Sequence, residues 1–214
     1  MPTPTTTPAT PRPTRSRAGG YAKGRARRLQ IIDAATELYA EQGYRGTSLR
    51  DVAARAGLSH PGLLHHFPTM EALLLAVLEH RDAEDVERFA LAEAHGVEAL
   101  QRLVELAEWN QARPGIVELF VVLSAEATAP DHPAHPYFTH RYELAVATTT
   151  QAFVAARGAG RLRDDVDPDV AGHRVVALMD GLQVQWLYRR DAVDMAAELR
   201  DAIDGLLLEP LPRA

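Results

Sequence analysis

The sequence predicts an all-α protein of about nine helices, and three observations support this fold class. Apolar residues recur at three- and four-residue spacing, no segment alternates apolar and polar residues as a strand does, and glycine, proline and capping residues separate the periodic segments. With 214 residues, 46% of them hydrophobic, the chain can bury a substantial core. The absence of cysteine excludes disulfides, cysteine-ligated zinc and thiol nucleophiles.

The first two helices are predicted from their periodicity and their caps. Helix one runs from about residue 22 to Gly43, because glycine suits a helix C-terminus. Helix two begins near Thr47 and Ser48, with Asp51 placed to complete a capping box, and Gly57 ends it. Both helices are therefore bounded by residues that favour helix ends.

The remaining helices follow from the same criteria. Ser59 caps helix three, Pro61 is tolerated in its first turn, and Pro68 ends it within about two turns. Thr69 starts a long fourth helix predicted to reach about Ala94. Five further helices are predicted at 97–111, 115–127, 134–157, 168–189 and 193–208.

Charge is distributed unevenly along the chain, although the net charge is only -6. Residues 1–60 carry ten Arg and Lys against four Asp and Glu, whereas residues 61–214 carry thirteen against twenty-five. Residues 1–22, rich in Pro and Thr, are predicted to be a disordered basic arm. A polyanion is thus attracted to the N-terminal end of the chain and repelled by the rest.

Helices two and three, joined by a tight turn, predict a helix-turn-helix. Ala56 allows close helix approach, Gly57 suits the turn, Leu58 fills the core and Ser59 caps helix three. In this unit the later helix enters the major groove of DNA. The DNA-binding candidates on it are Ser59, His60, Pro61, Gly62, His65 and His66.

These candidates have alternative roles. His60, Gly62 and His65 either contact base edges or face phosphate and solvent, and His66 either contacts DNA or packs structurally. Thr47, Ser48 and Arg50 are candidates for phosphate contacts at the start of helix two, where a helix N-terminus favours anions. Arg28 is a further candidate, and the arm from Arg12 to Arg28 either enters the adjacent minor groove or attracts DNA nonspecifically.

Several short motifs occur together between Arg28 and Leu75, namely Ile32-Asp33-Ala34-Ala35, Gly43-Tyr44, Gly46-Thr47-Ser48, Asp51-Val52-Ala53, Ala56-Gly57-Leu58-Ser59 and His66-Phe67-Pro68. With these motifs the segment resembles the DNA-binding domain of the TetR/AcrR-type transcriptional regulators. The resemblance implies a three-helix DNA-binding domain at 23–68 and a helical ligand-binding and dimerisation domain at 69–214. It further implies a repressor released from DNA by a small-molecule effector, without a cofactor.

Three positions depart from the family pattern. The family usually has Lys, Tyr and Lys where this chain has His60, Leu64 and Met70. Because the Tyr and the second Lys commonly touch phosphates in the family, some backbone contacts are expected to be missing here. Losing one phosphate-pairing cation per subunit removes two such cations from a dimer. The slope of the logarithm of the DNA-binding constant against the logarithm of the salt concentration then becomes smaller by roughly 2.

The resemblance also suggests where a ligand and a second subunit bind. The last two predicted helices carry apolar stripes and are expected to pair across a two-fold axis, giving a homodimer that matches a palindromic operator. Glu126 ends an apolar stretch and is expected to be a buried acid that needs a partner. The ligand candidates, which combine aromatic surface with polar groups, are Trp109, Phe120, Glu126, Tyr137, Phe138, Tyr142, Met179 and Gln183.

Alternatives to this function have weaker support. The histidines between His132 and His140 suggest a metal site, but a turn leading into a helix explains the two prolines better. Ser124 lacks the flanking glycines of a nucleophile elbow, so no enzyme is predicted. A nonspecific architectural DNA-binding protein is a further alternative. No membrane span or secretory signal is found, so a cytoplasmic location is expected.

Overall fold

The computed structural model describes the backbone of residues 17–43 and 45–212, and side chains from residue 23 onward within those ranges. Nine α-helices lie in this part of the chain, and its only β-structure is an isolated antiparallel bridge between Leu162 and Leu207. The all-α prediction is confirmed. The helices are α1 (Arg17–Gln42), α2 (Leu49–Arg55), α3 (His60–Leu64), α4 (Met70–Arg88), α5 (Val97–Gln111), α6 (Pro114–Glu126), α7 (His135–Gly158), α8 (Pro168–Tyr188) and α9 (Met195–Asp204).

The predicted N-terminal caps of the short helices are present. At α2 the Asp51 N–H donates to Ser48 Oγ at 3.3 Å, and the Ser48 N–H donates to Asp51 Oδ2 at 2.9 Å, completing the capping box. At α3 the Gly62 N–H donates to Ser59 Oγ at 3.2 Å. Thr69 caps α4 in the same way. Local sequence chemistry therefore determines where these helices begin.

Three predicted helix bounds differ from the structure by four residues or more, and one of them is the end of α9, at Asp204 instead of residue 208. Helix α1 already begins at Arg17, inside the segment 1–22 that was expected to be a disordered arm. Residues 1–16 of that arm, like Tyr44, lie outside the described residues. Helix α4 ends at Arg88 instead of near Ala94, because Ala90 adopts a φ of 46° and the Leu91 N–H donates to the Val86 carbonyl at 3.0 Å. This left-handed closure satisfies the last carbonyls of α4 and stops it.

Two clusters of buried apolar side chains organise the helices. The first contains residues of the first four helices, of α6 and of the start of α7, among them Tyr39, Phe67 and Phe120. The second joins α5, α7, α8 and α9 around Phe153 and Trp186, with Val117 of α6 also in it. The first cluster therefore crosses residue 68, where the two functional domains were expected to meet. Within the described ranges, no helix is long and apolar enough to cross a membrane.

The contact of α6 with α1 is unusually close. A Cβ atom placed on Gly115, in the first turn of α6, would lie 2.1 Å from the Tyr39 carbonyl oxygen of α1. Real Cβ atoms essentially never come this close to a neighbour, so only glycine fits at this position. Helix α6 thus rests directly on the backbone of the first helix of the helix-turn-helix unit.

Candidate DNA-binding surface and ligand-binding region

The turn between α2 and α3 has the geometry that the sequence predicts. Gly57 has a φ of +65°, which favours glycine, and the Leu58 N–H donates to the Ala53 carbonyl at 2.8 Å. Leu63 of α3 and Phe67 just beyond it are buried in the first cluster. One side of α3 is consequently fixed to the core, and the other side faces outward.

The outward side of α3 carries the candidate base-reading residues. Pro61 and His65 are exposed, while His60 and His66 are half-buried. The His65 and His66 rings meet edge to face with centroids 5.6 Å apart. Nδ1 of His60 is buried and has no hydrogen-bond partner among the described residues. The structure thus presents at the surface the imidazoles of His60 in α3 and of the two residues that follow the helix, with His65 the most accessible.

Gly62 and Ser59 have structural roles in the same turn. A Cβ atom on Gly62 would lie 3.1 Å from Ser59 Oγ, so glycine leaves room for the cap. Ser59 Oγ accepts from the Gly62 N–H. Both residues were candidates for DNA contact, and their geometry already explains their identity without it.

The start of α2 exposes two of the three predicted phosphate contacts. Ser48 and Arg50 are exposed, and Ser48 lies at the N-terminus of the helix. Thr47 is buried, and its hydroxyl donates to the Gly43 carbonyl at 3.0 Å. Its side chain therefore secures the end of α1 and offers little surface to a phosphate.

Arg28 lies close to α3, the helix expected to enter the major groove. Its guanidinium stacks on the Phe67 ring, 4.4 Å from the ring centroid. The stacking places an exposed cation at the end of α3. Arg55, in contrast, bonds to Glu37 at 3.1 Å and to Glu41, so its charge is engaged with acids of α1. The DNA contact expected of Arg28 stays a prediction.

Four of the predicted ligand residues form one aromatic cluster between α6 and α7. The Phe120 and Phe138 ring centroids are 5.5 Å apart, those of Tyr137 and Phe138 are 4.9 Å apart, and those of Phe138 and Tyr142 are 6.4 Å apart. Burial raises the pKa of Tyr142 to about 12, and the charge of the nearby Asp180 contributes to this rise. Burial also raises the pKa of Asp180 above its ordinary value.

The other predicted ligand residues lie elsewhere. Trp109 is half-buried between the guanidinium groups of Arg88 and Arg113, 4.2 Å and 5.3 Å from its ring centroid. Met179 and Gln183 line a small cavity at α8. The ligand candidates therefore occupy separate places in the C-terminal helices.

Glu126 is not the buried acid that the sequence suggested. It is the last residue of α6, its side chain is 52% exposed, and its carboxylate lies 4.0 Å from the guanidinium of Arg45. Solvent and this cation satisfy the charge. The apolar residues before Glu126 belong to the buried face of α6, and the helix ends where it reaches the surface.

A buried ionic network on α4 was missed by sequence reasoning. Arg81 is 3% exposed, and its Nε donates to Asp85 at 3.1 Å and its Nη2 to Asn110 of α5 at 3.1 Å. Arg113 bonds to the other oxygen of Asp85 at 3.2 Å. Burial lowers the pKa of Arg81, and the nearby Arg141 lowers it further. Because Arg81 and Asp85 continue the buried stripe of Leu74, Val77 and Leu78 at helical spacing, the sequence contained a signal for their burial.

A second arm of this network reaches α7. The Tyr137 hydroxyl donates to Asp82 at 2.5 Å, and Arg141 bonds to Asp82 at 2.8 Å. Burial and the Asp82 charge raise the pKa of Tyr137. Helix α4 is thereby held to α5 and α7 by polar contacts at its C-terminal half.

The histidine-rich run leads into α7. The Ala134 N–H donates to His132 Nδ1 at 3.1 Å, and His135 Nδ1 lies 2.8 Å from the Ala127 carbonyl. His135 is the first residue of α7, as the turn interpretation predicts. Among the described residues, no group of three or more His, Asp or Glu side chains is placed to hold a metal ion.

The apolar stripes of α8 and α9 are buried within the subunit. Met195, Leu199 and Ile203 of α9, together with Val175 and Trp186 of α8, belong to the second buried cluster, which includes α5. The expectation that the last two helices pair across a two-fold axis stays a prediction. Their partners are the neighbouring helices of the same chain.

The structure has the features of a helix-turn-helix DNA-binding regulator. These are the capped helix α3, the exposed polar residues at the N-terminus of α2 and the helical C-terminal region. Comparison with known proteins agrees: residues 31–77 match the family described as bacterial regulatory proteins, tetR family. The chain is 31% identical over 179 residues to the HTH-type transcriptional repressor Rv1474c of Mycobacterium tuberculosis, spanning 81% of this chain and 89% of that protein. The chain belongs to the TetR family and is a DNA-binding transcriptional regulator. This is a family of transcriptional regulators, not of enzymes.

Solved structures share the fold. A TetR-family transcriptional regulator from Rhodococcus sp. is 25% identical with a TM-score of 0.65, covering 86% of this chain and 99% of that one. A transcriptional regulator from Saccharomonospora viridis, crystallised in complex with choline, is 24% identical with a TM-score of 0.67 and the same coverage. The nine-helix architecture is therefore found in known regulators.

Proposed function

We propose that this protein is a homodimeric repressor that binds a palindromic operator in the bacterial cytoplasm and is released by a small-molecule effector. The observation that carries the effector-responsive part of the proposal is the close packing of α6 on α1 at Gly115. Through this contact, any shift of α6 displaces the unit that presents α3. The 31% identical relative is named a transcriptional repressor, which supports the same direction of control.

Exposed apolar residues on α7 and α8 support the dimer. Among the described residues, eight large apolar side chains are exposed, and five of these are on α7 and α8. A concentration of large exposed apolar side chains on two helices that pack together favours burial of this side against a partner. A symmetric pair formed through α7 and α8 would place two α3 helices on successive turns of the major groove. The five residues are Leu144, Val154, Val170, Val184 and Tyr188.

Helix α4 gives the second route from effector to DNA. It begins directly after the α3 segment, at Thr69, and ends in the buried network of Arg81 and Asp85. An effector acts only if it binds the DNA-free conformation more tightly than the DNA-bound one. Moving the population from 99:1 to 1:99 requires about 5.5 kcal/mol of differential affinity.

The DNA-binding half of the proposal is tested by unbiased selection from a random duplex library, followed by mobility-shift titration of the selected sequence. A palindromic consensus bound by two subunits is expected. Binding without sequence preference would instead indicate an architectural protein.

The effector half is tested on that selected duplex. The regulator from Saccharomonospora viridis was crystallised with choline, so small polar and apolar metabolites form a reasonable screening set. A ligand at 100 times its dissociation constant adds about 2.7 kcal/mol to stability, which thermal shift detects. Hits are expected to release the duplex, and hits that leave it bound would contradict effector control.

A further inference from the structure

Methionine is the only sulfur residue of this protein, because the chain has four methionines and no cysteine. Met1 lies outside the described residues, and Met195 is only 2% exposed. Met70 and Met179 are half-buried. Oxidation of a thioether requires access to its sulfur, so these two are the methionines of the described residues most open to an oxidant.

Met70 lies where the DNA-binding unit joins α4. It is the first residue of that helix and follows Pro68 by two positions. Its sulfur accepts a hydrogen bond from the Tyr39 hydroxyl of α1, with the two atoms 3.6 Å apart. Met179, in contrast, lies on α8. Met70 is therefore the accessible methionine that contacts the helices presenting α3.

The Tyr39 hydroxyl is poorly satisfied by this sulfur. Tyr39 is 0% exposed, and Met70 is the only hydrogen-bond partner of its hydroxyl among the described residues. Burial raises the pKa of Tyr39, so the hydroxyl keeps its proton and remains a donor. Because a thioether is a weak acceptor, a buried donor here would gain from a stronger one.

We infer that Met70 is an oxidant-sensitive site, at which a hydroperoxide converts the thioether to a sulfoxide and thereby weakens operator binding. A sulfur lone pair attacks one peroxide oxygen, the S–O bond forms as the O–O bond breaks, and hydrogen peroxide leaves as water. Sulfur loses two electrons and the peroxide gains them. The effect on the operator rests on the function proposed above.

The sulfoxide changes the contact between α1 and α4. Its oxygen is a stronger acceptor than the thioether, so the Tyr39 hydroxyl is expected to bind this oxygen. An added oxygen does not fit between sulfur and hydroxyl at their present 3.6 Å separation. Tyr39 is held in place, because its carbonyl packs against Gly115 of α6. The displacement therefore falls on Met70 at the start of α4, and on α3 just before it.

The site is tested by treating the full-length protein with hydrogen peroxide. Mass spectrometry of its peptides locates the added oxygen, and mobility shift measures affinity for the selected duplex. Oxidation of Met70 is expected to lower this affinity about tenfold, as for other overpacked contacts, and methionine sulfoxide reductases should restore it. Unoxidised Met70 beside oxidised Met179, or unchanged affinity after Met70 oxidation, would overturn the inference.

Three variants separate Met70 from the other methionines. Met70→Leu should bind the duplex and remain insensitive to peroxide, whereas the control Met179→Leu should lose affinity like the unsubstituted protein. Met70→Gln supplies an amide oxygen to Tyr39 and should bind weakly without peroxide. Circular dichroism checks that each variant is folded. Peroxide sensitivity that survives Met70→Leu would contradict the assignment to this residue.

A further measurement needs no variant. Partly oxidised protein is mixed with limiting duplex, and the bound and free fractions are separated and analysed by mass spectrometry. The bound fraction should be depleted of Met70 sulfoxide but not of Met179 sulfoxide. Equal amounts of Met70 sulfoxide in both fractions would overturn the inference. Failure of the untreated protein to select any sequence would instead contradict the proposed function.

Discussion

At the scale of single residues, the caps of the short helices govern the DNA-binding surface. Ser59 supplies the only side-chain cap observed at the start of α3, a helix of five residues. So short a helix has few internal hydrogen bonds to maintain it. Its order therefore depends on this hydroxyl and on the burial of Leu63.

Replacing Ser59 with alanine is expected to lower the free energy of unfolding by about 1 kcal/mol. Because the loss falls on α3, operator affinity should fall about fivefold for each recognition helix, which mobility-shift titration measures. Asp194→Ala is the control, since Asp194 caps α9 by accepting from the Ala196 and Ala197 N–H groups. Equal effects of the two substitutions on DNA affinity would contradict a local role for Ser59.

Asp180 is expected to make stability depend on pH. Burial raises the pKa of this carboxyl, so folding favours its protonated form. The resulting stabilisation is present below the unfolded pKa near 3.8 and is lost as pH rises through the folded pKa. Asp180→Asn should therefore increase the free energy of unfolding at pH 7, with a smaller gain near pH 4, in urea titrations.

Asp165 offers a control of opposite sign. The neighbouring Arg163 lowers the pKa of this exposed carboxyl. Asp165→Asn should therefore give no gain in stability at pH 7. A gain as large as that of Asp180→Asn would show that general charge reduction, not burial, is responsible.

At the scale of helices, the Gly115 contact makes a strong prediction. In Gly115→Ala, the added methyl meets the Tyr39 carbonyl, so α6 must move away from α1 or the protein must unfold. We expect a loss of stability of about 1–3 kcal/mol, as for other overpacked sites, with weaker operator binding.

Gly158→Ala is the matched control in thermal unfolding. Gly158 is the last residue of α7, and a Cβ atom there would meet nothing within 4 Å. Alanine should be neutral or stabilising by up to about 1 kcal/mol. If Gly115→Ala were as stable as Gly158→Ala, this would show that α6 and α1 can separate without loss of stability.

The helices themselves could be predicted from sequence because their ends are chosen locally. Ser48 with Asp51, Ser59 and Thr69 act on backbone groups within three residues, so their effects are visible in the printed chain. The end of α4 was not visible, because the left-handed Ala90 interrupts a segment of otherwise helical composition.

The candidate site was less predictable, since burial depends on distant partners. Arg81 meets Asn110, twenty-nine residues further along the chain, and although its helical spacing indicates burial, the sequence does not reveal this partner. Thr47 and Glu126 were assigned by position, yet the fold buries the first and exposes the second. The apolar face of α9 is visible in the sequence, but its partner helix α5 in the same chain is not.

At the scale of the whole molecule, the proposed dimer is expected to depend on α7 and α8. Val184 is exposed on α8, and a charge there would oppose burial against a second copy. Val184→Glu is expected to give monomers in light scattering and to weaken operator binding, because one recognition helix then binds alone. The fold of the Val184→Glu subunit should be unchanged, since this side chain already faces solvent.

Val86→Glu provides the comparison at an equally exposed position. Val86 lies on α4, outside the proposed interface, and is 43% exposed against 40% for Val184. This variant should remain dimeric and bind the operator normally. Dissociation of both variants, or of neither, would contradict the assignment of the interface to α7 and α8.

The contact of Gly115 with Tyr39 also limits how this regulator can be re-engineered. One way to change the operator of this protein is to join the DNA-binding domain of another regulator to its C-terminal helices before α4. In this chain the helices of the DNA-binding domain share one buried cluster with α6. Gly115 of α6 also packs directly against the backbone of Tyr39 in α1. A DNA-binding domain from another regulator needs a first helix whose backbone can contact a glycine of α6. A C-terminal domain from another regulator needs glycine at the position equivalent to Gly115. Chimeras joined at Pro68 should therefore succeed only when this pair of surfaces is transferred together.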